Sequence, residues 1–170
     1  MGAARIDGVA VALAQAAERA AEILSQAHFP VIAGLGTDIG GARGMAFSHD
    51  SKLLACAGIT EVSNAFAGVG KPLVIVFDMA TGKQKYALKP KEAFQGTAWG
   101  VALHPQGYAI ATGGGNGGTL WFWSLDKGEN VFSLKLPDNA RDLDLHADGQ
   151  RLAIPFAGGG VRVYNMSPKA

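Results

Sequence analysis

The chain has 170 residues, of which 48% are hydrophobic and 17% are charged, with a formal net charge of +1. Because the charges are dispersed and almost balanced, no basic stripe marks a nucleic-acid surface. The single cysteine, Cys56, excludes an intrachain disulfide and a thiolate metal cluster within one chain. Its apolar neighbours predict a buried thiol. No stretch reaches the roughly 18 to 20 continuous apolar residues that span a bilayer, so we expect a cytoplasmic chain without a membrane partner.

The first part of the chain, residues 1–43, differs in pattern from the rest. From Ile6 to Ala27 the apolar residues recur at steps of four and three, which predicts an amphipathic helix with Asp7 as its N-cap. Pro30 ends this pattern, and residues 30–34 resemble a short buried strand. The glycines that follow are expected to form a tight chain reversal and not a phosphate-binding turn, because no helix of useful length comes next. We therefore expect a helix–strand segment that binds no cofactor.

Residues 5–43 also resemble part of a known enzyme. The order and spacing of Ile6-Asp7-Gly8-Val9, Pro30–Asp38 and Gly41-Ala42-Arg43 are similar to a segment of one component of formylmethanofuran dehydrogenase, of the molybdopterin oxidoreductase family. The resemblance carries over no catalytic residue, because the metal-ligand and pterin-binding loops of that family lie in sequence outside the matching segment. It implies a borrowed scaffold piece, a gene fusion or an assembly artefact.

The remaining residues repeat one pattern three times. Each repeat contains an apolar alternation, a turn, a second strand and then an aromatic strand. The repeats open with Gly44–Ile59, Gly100–Gly115 and Asp142–Ala157. Phe77, Trp123 and Tyr164 mark the aromatic strands and recur about every 41 to 46 residues. Four short strands with a period of roughly 40 to 45 residues are typical of a β-propeller blade.

Turn residues and outer strands follow the same pattern. Asp50-Ser51, Gln106-Gly107 and Asp148-Gly149 each lie between two apolar runs, as the turn of a β-hairpin does. Outer strands are predicted at Lys85–Leu88 and Val131–Leu136. The third repeat stops before any outer strand.

Residues 44–166 resemble the WD-repeat family. The Gly-His pair that usually opens a unit is absent, and the Asp expected before the aromatic strand is replaced by Asn116 in the second repeat and by Gly158-Gly159 in the third. The family's polar tetrad therefore cannot form, which leaves strand pairing and apolar packing to stabilise the blades. We predict a mainly β protein in which three antiparallel four-stranded propeller-type blades, the last one incomplete, occupy residues 44–170 after an N-terminal helix–strand segment at residues 1–43.

Residue types that suggest catalysis or metal binding have structural explanations in this sequence. His49, His104 and His146 recur once per repeat, but their offsets place them on opposite strand faces and no second-ligand spacing supports zinc. Asp142 and Asp144 lack an opposed carboxylate and a cleft that would allow acid/base chemistry. We expect no catalytic, cofactor-binding or metal-binding residue.

Two further features are expected to be structural. The glycine-rich residues 113–118 predict a long turn, because neither a Lys-Ser/Thr pair nor a helix follows them. Trp99, Trp121 and Trp123 carry large apolar areas and are expected to anchor the interior.

Three blades are fewer than the roughly four to eight that close a propeller. The chain is therefore interpreted as a fragment of a longer propeller, as one part of an assembly of several chains, or as an open wedge. The inserted stretch Glu61–Lys71 makes Asn64 and Phe66 the best candidates for contacts with a partner, the alternative being a surface loop packed by its own side chains. We predict a non-catalytic protein-interaction scaffold with an unidentified protein partner and with homo-oligomers that form through open edges.

Two other functional hypotheses are open at this point. In the first hypothesis, the chain is a fragment or accessory piece of an enzyme complex like formylmethanofuran dehydrogenase, and this predicts bound molybdenum or tungsten. In the second hypothesis, the chain is a chimeric reading frame without a function.

Overall fold

The computed structural model describes residues 4–6, 9–12, 14–15, 18–19, 22, 41–64 and 69–166. The chain divides into two compact units, Met1–Ile32 and Ala33–Ala170. In the first unit, β1 (Ala4–Ile6) pairs antiparallel with β2 (Val9–Val11). In the second unit, the first described strand begins at Gly41 and runs through the domain boundary predicted at residues 43 and 44.

The predicted N-terminal helix is wrong at its start. Ile6 and Val9 are register partners in a β-hairpin, and the intervening sequence Asp7-Gly8 is a two-residue hairpin signal that competes with the N-cap interpretation. The described residues with helical conformation are Ala14, Gln15, Glu18, Arg19 and Glu22. They delimit no complete helix. The rest of the predicted helix and the predicted strand at residues 30–34 lie outside the described residues.

The second unit is built from antiparallel sheets, so the prediction of a mainly β protein is confirmed. Its described residues form three sheets in which strands consecutive in sequence are neighbours. Sheet 1 contains β3 (Gly41–Phe47), β4 (Leu53–Asn64), β5 (Val69–Asp78) and β6 (Gln84–Leu88). Sheet 2 contains β7 (Gly96–His104), β8 (Tyr108–Gly115), β9 (Gly117–Ser124) and β10 (Glu129–Leu136). Sheet 3 contains β11 (Asp144–Leu145), β12 (Arg151–Pro155) and β13 (Val161–Asn165).

The three sheets share one strand register. In each sheet an apolar residue of the first strand pairs with an apolar residue of the second, which pairs with the aromatic residue of the third. The equivalent sets are Phe47, Leu54 and Phe77; Leu103, Ala109 and Trp123; and Leu145, Leu152 and Tyr164. Because side chains alternate between faces along a strand, equal register gives equivalent residues the same facing in all three sheets.

The three predicted hairpin turns are confirmed. Ser51, Gly107 and Gly149 have φ values of 57°, 84° and 69°, which is the left-handed region that tight turns require. Ser51 is the exception among them because it carries a side chain. The carboxylate of the preceding Asp50 accepts the N–H of Lys52 at 3.2 Å, and this bond helps to hold the turn.

One apolar cluster lies between sheets 1 and 2. Small and β-branched side chains of sheet 1 face two buried indoles of sheet 2, those of Trp121 and Trp123. Trp123 donates from Nε1 to the carbonyl of Lys89 at 2.9 Å, which joins the two sheets next to β6. The prediction of an interior anchor is confirmed for these two tryptophans and is wrong for Trp99, which is half-buried and outside the cluster.

A second apolar cluster lies between sheets 2 and 3. Its buried members are Ala102, Ile110, Leu120, Leu136, Ala140, Leu143, Leu152 and Ile154. The opposite face of sheet 1 carries a third, smaller cluster that includes Cys56. Cys56 is buried as predicted, and burial raises the pKa of its thiol.

Glycines allow the first strands of neighbouring sheets to approach closely. Gly44 and Gly100 occupy equivalent positions. A Cβ on Gly44 would lie 2.4 Å from the carbonyl oxygen of Trp99, and a Cβ on Gly100 would lie 2.2 Å from the backbone nitrogen of Leu143. Each contact is made with the backbone of the next sheet. These two positions therefore exclude any side chain unless the sheets move apart.

The long turn predicted at residues 113–118 is wrong. Strand β8 continues to Gly115 and β9 begins at Gly117, so that only Asn116 separates the two strands. Gly113 lies under the ring of Trp121, where a Cβ would be 2.1 Å from Cη2. Gly113 thus makes room for a buried indole within a sheet.

Candidate interaction surfaces

The inserted stretch Glu61–Lys71 lengthens the hairpin of β4 and β5. Asn64, one of the two predicted contact residues, is the last residue of β4 and pairs with Val69. Phe66, the other one, lies outside the described residues. Glu61 has a φ of 50° and contacts Lys71 at 2.5 Å and Lys89 at 3.5 Å. These cations, Lys71 above all, lower the pKa of the Glu61 carboxyl.

An inner cleft of about 450 Å³ runs along the first strands of the three sheets. Its walls include Met45 and Phe47, which are 58% and 59% exposed. His49 and His146 line the cleft, as does Asp144. In the part of the chain that the structure describes, no three His, Cys, Asp or Glu side chains come together in a way that could hold a metal ion.

Two of the three repeat histidines hold hairpin turns. His104 accepts the N–H of Gln106 at Nδ1 over 3.1 Å, and its Nε2 lies 2.6 Å from the carbonyl oxygen of Gly149. His146 occupies the equivalent position in sheet 3 and accepts the N–H of Asp148 at Nδ1 over 3.2 Å. Each ring thus takes part in the geometry of its own turn, and His104 also joins sheet 2 to the turn of sheet 3.

Asp148 belongs to the same turn of sheet 3. Its carboxylate accepts the N–H of Gln150 at 2.8 Å and contacts Arg151 at 2.8 Å and His146 at 2.9 Å. These bonds, the one from Gln150 above all, lower the pKa of Asp148 to about 2. The carboxylate is therefore ionised near neutral pH, and its hydrogen bonds serve the turn.

An outer groove of about 820 Å³ lies between sheets 2 and 3. Phe122 and Phe132 line its sheet 2 side, with ring centroids 5.7 Å apart, and Tyr164 lines its sheet 3 side. Phe132 is 53% exposed although it lies on the face that packs against sheet 3. Val131 is equally exposed at the rim. An apolar surface with this much exposure is typical of an interaction site.

The outer groove lies beside the strand edge of β13 that corresponds to the outer edges of β5 and β9. In sheets 1 and 2, β5 and β9 pair with the outer strands β6 and β10. Among the described strands, none pairs with the corresponding edge of β13. Tyr164 lines the groove, and Arg162 lies on the same face of β13, because the two are register partners of the buried Leu152 and Ile154.

The opposite face of sheet 3 is also apolar and exposed, and we call it the free face. Val161 and Val163 on this face are 63% and 66% exposed. By register they are equivalent to Val74 and Val76 of sheet 1, which are fully buried against sheet 2. The free face therefore has the composition of a sheet face that packs on another sheet.

Sequence reasoning found the repeats but not the outer groove. The sequence feature that could have predicted the groove is the alternation of Phe132, Leu134 and Leu136 along β10. This apolar face is longer than the strands of the short third repeat, so part of it stays exposed. The predicted contacts at Asn64 and Phe66 lie on a different sheet.

Comparison of the sequence with protein-family models and with curated proteins finds no match. The resemblances to the WD-repeat family and to formylmethanofuran dehydrogenase therefore stay predictions. Among the described residues, no helix has the length and apolar character needed to cross a membrane.

Proposed function

We propose that this chain is a non-catalytic, cytoplasmic protein-interaction scaffold built on consecutive WD-repeat-type propeller blades. Three observations support the propeller arrangement: the common register, the packing of successive sheets face to face, and the glycine contacts between their first strands. Together they give each sheet the same relation to the next, as blades around an axis require.

The interaction function is proposed because of the exposed apolar outer groove. Its ligand is an extended peptide of about five residues that pairs antiparallel with β13, as β6 and β10 pair with their own neighbours. Every second side chain of such a peptide would enter the groove. The residue opposite Tyr164 would be apolar and would pack on Phe122 and Phe132, whereas the residue opposite Arg162 would be acidic.

Arg162 supplies the charge in this recognition. It is exposed and makes no ion pair with the acidic residues of the described chain. A guanidinium group on the groove side of a strand edge offers paired donors to a carboxylate. A peptide with an acidic residue two positions from an apolar residue therefore fits this groove better than a peptide with apolar residues alone.

A second copy of the chain fits the outer groove poorly. Pairing of two β13 edges about a twofold axis would bring β9 and β10 of the second copy over the joined strands. In the first copy β10 already flanks that space. The two outer strands would collide, which favours a single peptide segment over a symmetric dimer at this edge.

Peptide selection tests this function. Random peptides displayed on phage and selected on the full chain are expected to converge on an apolar residue two positions from an acidic one. Phe132→Glu is expected to weaken binding of the selected peptide by about tenfold or more, because it places a charge in the apolar groove. The matched control is Phe47→Glu, at a phenylalanine of similar exposure in the inner cleft. Selected peptides that bind both variants equally would contradict the proposal.

Self-association through the free face of sheet 3 is the second part of this proposal. Because Val161 and Val163 match residues that are buried between sheets, we expect a second copy to cover them. Sedimentation velocity of the full chain should show an oligomer, and the double variant Val161→Lys/Val163→Lys should shift it to the monomer. Met45→Lys/Phe47→Lys is the matched control. A wild-type monomer, or equal dissociation of the control, would exclude this interface.

A further inference from the structure

Three residues at equivalent repeat positions meet near the start of the first strands. Arg43, Trp99 and Arg141 each precede, by the same number of residues, the first-strand apolar residue that defines the common register. Arg43 belongs to β3 and Trp99 to β7, while Arg141 comes just before β11. The repeat thus places one of these side chains on each sheet, with the indole on the middle one.

Both guanidinium groups contact the same indole. The Cζ atoms of Arg43 and Arg141 each lie 5.1 Å from the centroid of the Trp99 ring. This distance is within the range of cation–π attraction. The two Cζ atoms are therefore separated by at most twice this distance.

Trp99 has no hydrogen bond of its own that would explain its position. Its Nε1 is buried and has no acceptor among the described residues. Trp123, in contrast, donates from its indole to a carbonyl and lies in the core. Trp99 therefore differs from Trp123, because its half-buried ring contacts two arginines and lies outside the core cluster.

The two guanidinium groups keep their donors available. Within the described chain, neither Arg43 nor Arg141 has a carboxylate within ion-pair distance. The carboxylate of Asp138 accepts the N–H groups of Gly158 and Asn139. Its pKa is lowered mainly by the hydrogen bond from Gly158, and the charge of Arg141 is the smallest cause. Both arginines are exposed, so their guanidinium groups are accessible to a ligand from solvent.

We propose that Arg43, Trp99 and Arg141 form a binding site for an acidic peptide segment. Each guanidinium would take one carboxylate in a bidentate pair. An acidic segment is preferred to a single phosphate, because several carboxylates along one peptide can pair with both guanidinium groups whatever the separation of their Cζ atoms. A nucleic acid is also a poorer ligand, because the guanidinium groups occupy the ring on which a base would stack.

This site does not depend on the outer groove or on the proposed scaffold function. It uses residues of β3, of β7 and of the segment before β11, none of which lines the groove. Loss of groove binding in Phe132→Glu and loss of acidic-peptide binding in arginine variants are therefore separate results.

Binding of a labelled hexaglutamate peptide to the full chain, followed by fluorescence polarisation, tests the proposal. We expect binding at low ionic strength that weakens with added salt. Arg43→Gln/Arg141→Gln should weaken it by about tenfold, since two exposed ion pairs are removed. Arg43→Lys/Arg141→Lys should give an intermediate loss, because lysine keeps the charge but not the planar fork.

The controls separate this site from general charge attraction. Lys127→Gln/Lys135→Gln removes the same charge from exposed positions of sheet 2 and should change binding by less than about twofold. Far-ultraviolet circular dichroism should show that all variants keep their strand content. The proposal is overturned if hexaglutamine binds as well as hexaglutamate or if no hexaglutamate binding is seen. It is also overturned if Arg43→Gln/Arg141→Gln and Lys127→Gln/Lys135→Gln lose binding equally, or if inorganic phosphate competes on equal molar terms.

Discussion

Trp123→Ala is expected to lower the free energy of unfolding by about 3 to 5 kcal/mol, the usual loss when a buried aromatic side chain is deleted. The side chain is 1% exposed and lies between sheets 1 and 2. Its removal would leave a cavity and would also leave the carbonyl of Lys89 without its donor. Both effects act on the same sheet-to-sheet contact, so the expected loss lies at the upper end of core substitutions.

Two control variants show whether the loss in Trp123→Ala comes from the buried indole. Trp123→Phe keeps an aromatic ring but removes the Nε1 donor, and we expect a loss of about 1 to 3 kcal/mol. Phe47→Ala removes a phenyl ring that is 59% exposed and should cost about 0.5 kcal/mol or less. Urea titration followed by circular dichroism measures all three. If Trp123→Ala costs no more than Phe47→Ala, the indole does not anchor the two sheets.

Gly100→Ala is expected to destabilise the fold by about 1 to 3 kcal/mol or more, although it adds a single methyl group. The new Cβ would lie 2.2 Å from the backbone nitrogen of Leu143 and 2.6 Å from the carbonyl carbon of Asp142. Both atoms belong to the backbone, so no side chain can rotate away. The first strand of sheet 2 would have to withdraw from sheet 3.

Gly41→Ala is the matched control for this glycine. It lies in β3, and nothing within 4 Å would meet its Cβ. Alanine there should be neutral or should stabilise the fold by up to about 1 kcal/mol, because it restricts the unfolded chain. In urea titration Gly100→Ala is thus expected to lower the free energy of unfolding, whereas Gly41→Ala is expected to leave it unchanged or to raise it. Equal effects would mean that the approach between sheets 2 and 3 is not limited by Gly100.

Most strands and turns of the three sheets could be predicted from the repeat pattern in the sequence. The positions of Phe77, Trp123 and Tyr164 aligned the three repeats, and in the structure each of these residues takes the equivalent place in the register of its sheet. The glycine and aspartate turns were equally informative, since few residues adopt the left-handed region. These signals are local, which is why one sequence shows them.

The errors came from residues whose role depends on distant parts of the chain. The run 113–118 has a turn-like composition, but Gly113 is a strand residue that makes room for Trp121. Trp99 has the apolar area of a core residue, but arginines from neighbouring sheets hold it at the surface. At Ile6 a helical period competed with strand pairing, and Ile6 pairs with Val9. Composition cannot show which of these contacts is made.

The amino-acid order by itself determined the strands, their turns and their register, because hydrogen bonding within a hairpin depends on neighbours in sequence. Only the tertiary structure decided which faces are covered. Burial is a property of whole sheets, and equivalent valines are buried in sheet 1 and exposed in sheet 3. The outer groove and the Arg43–Trp99–Arg141 site arise from the packing of successive sheets, so no single repeat contains either of them.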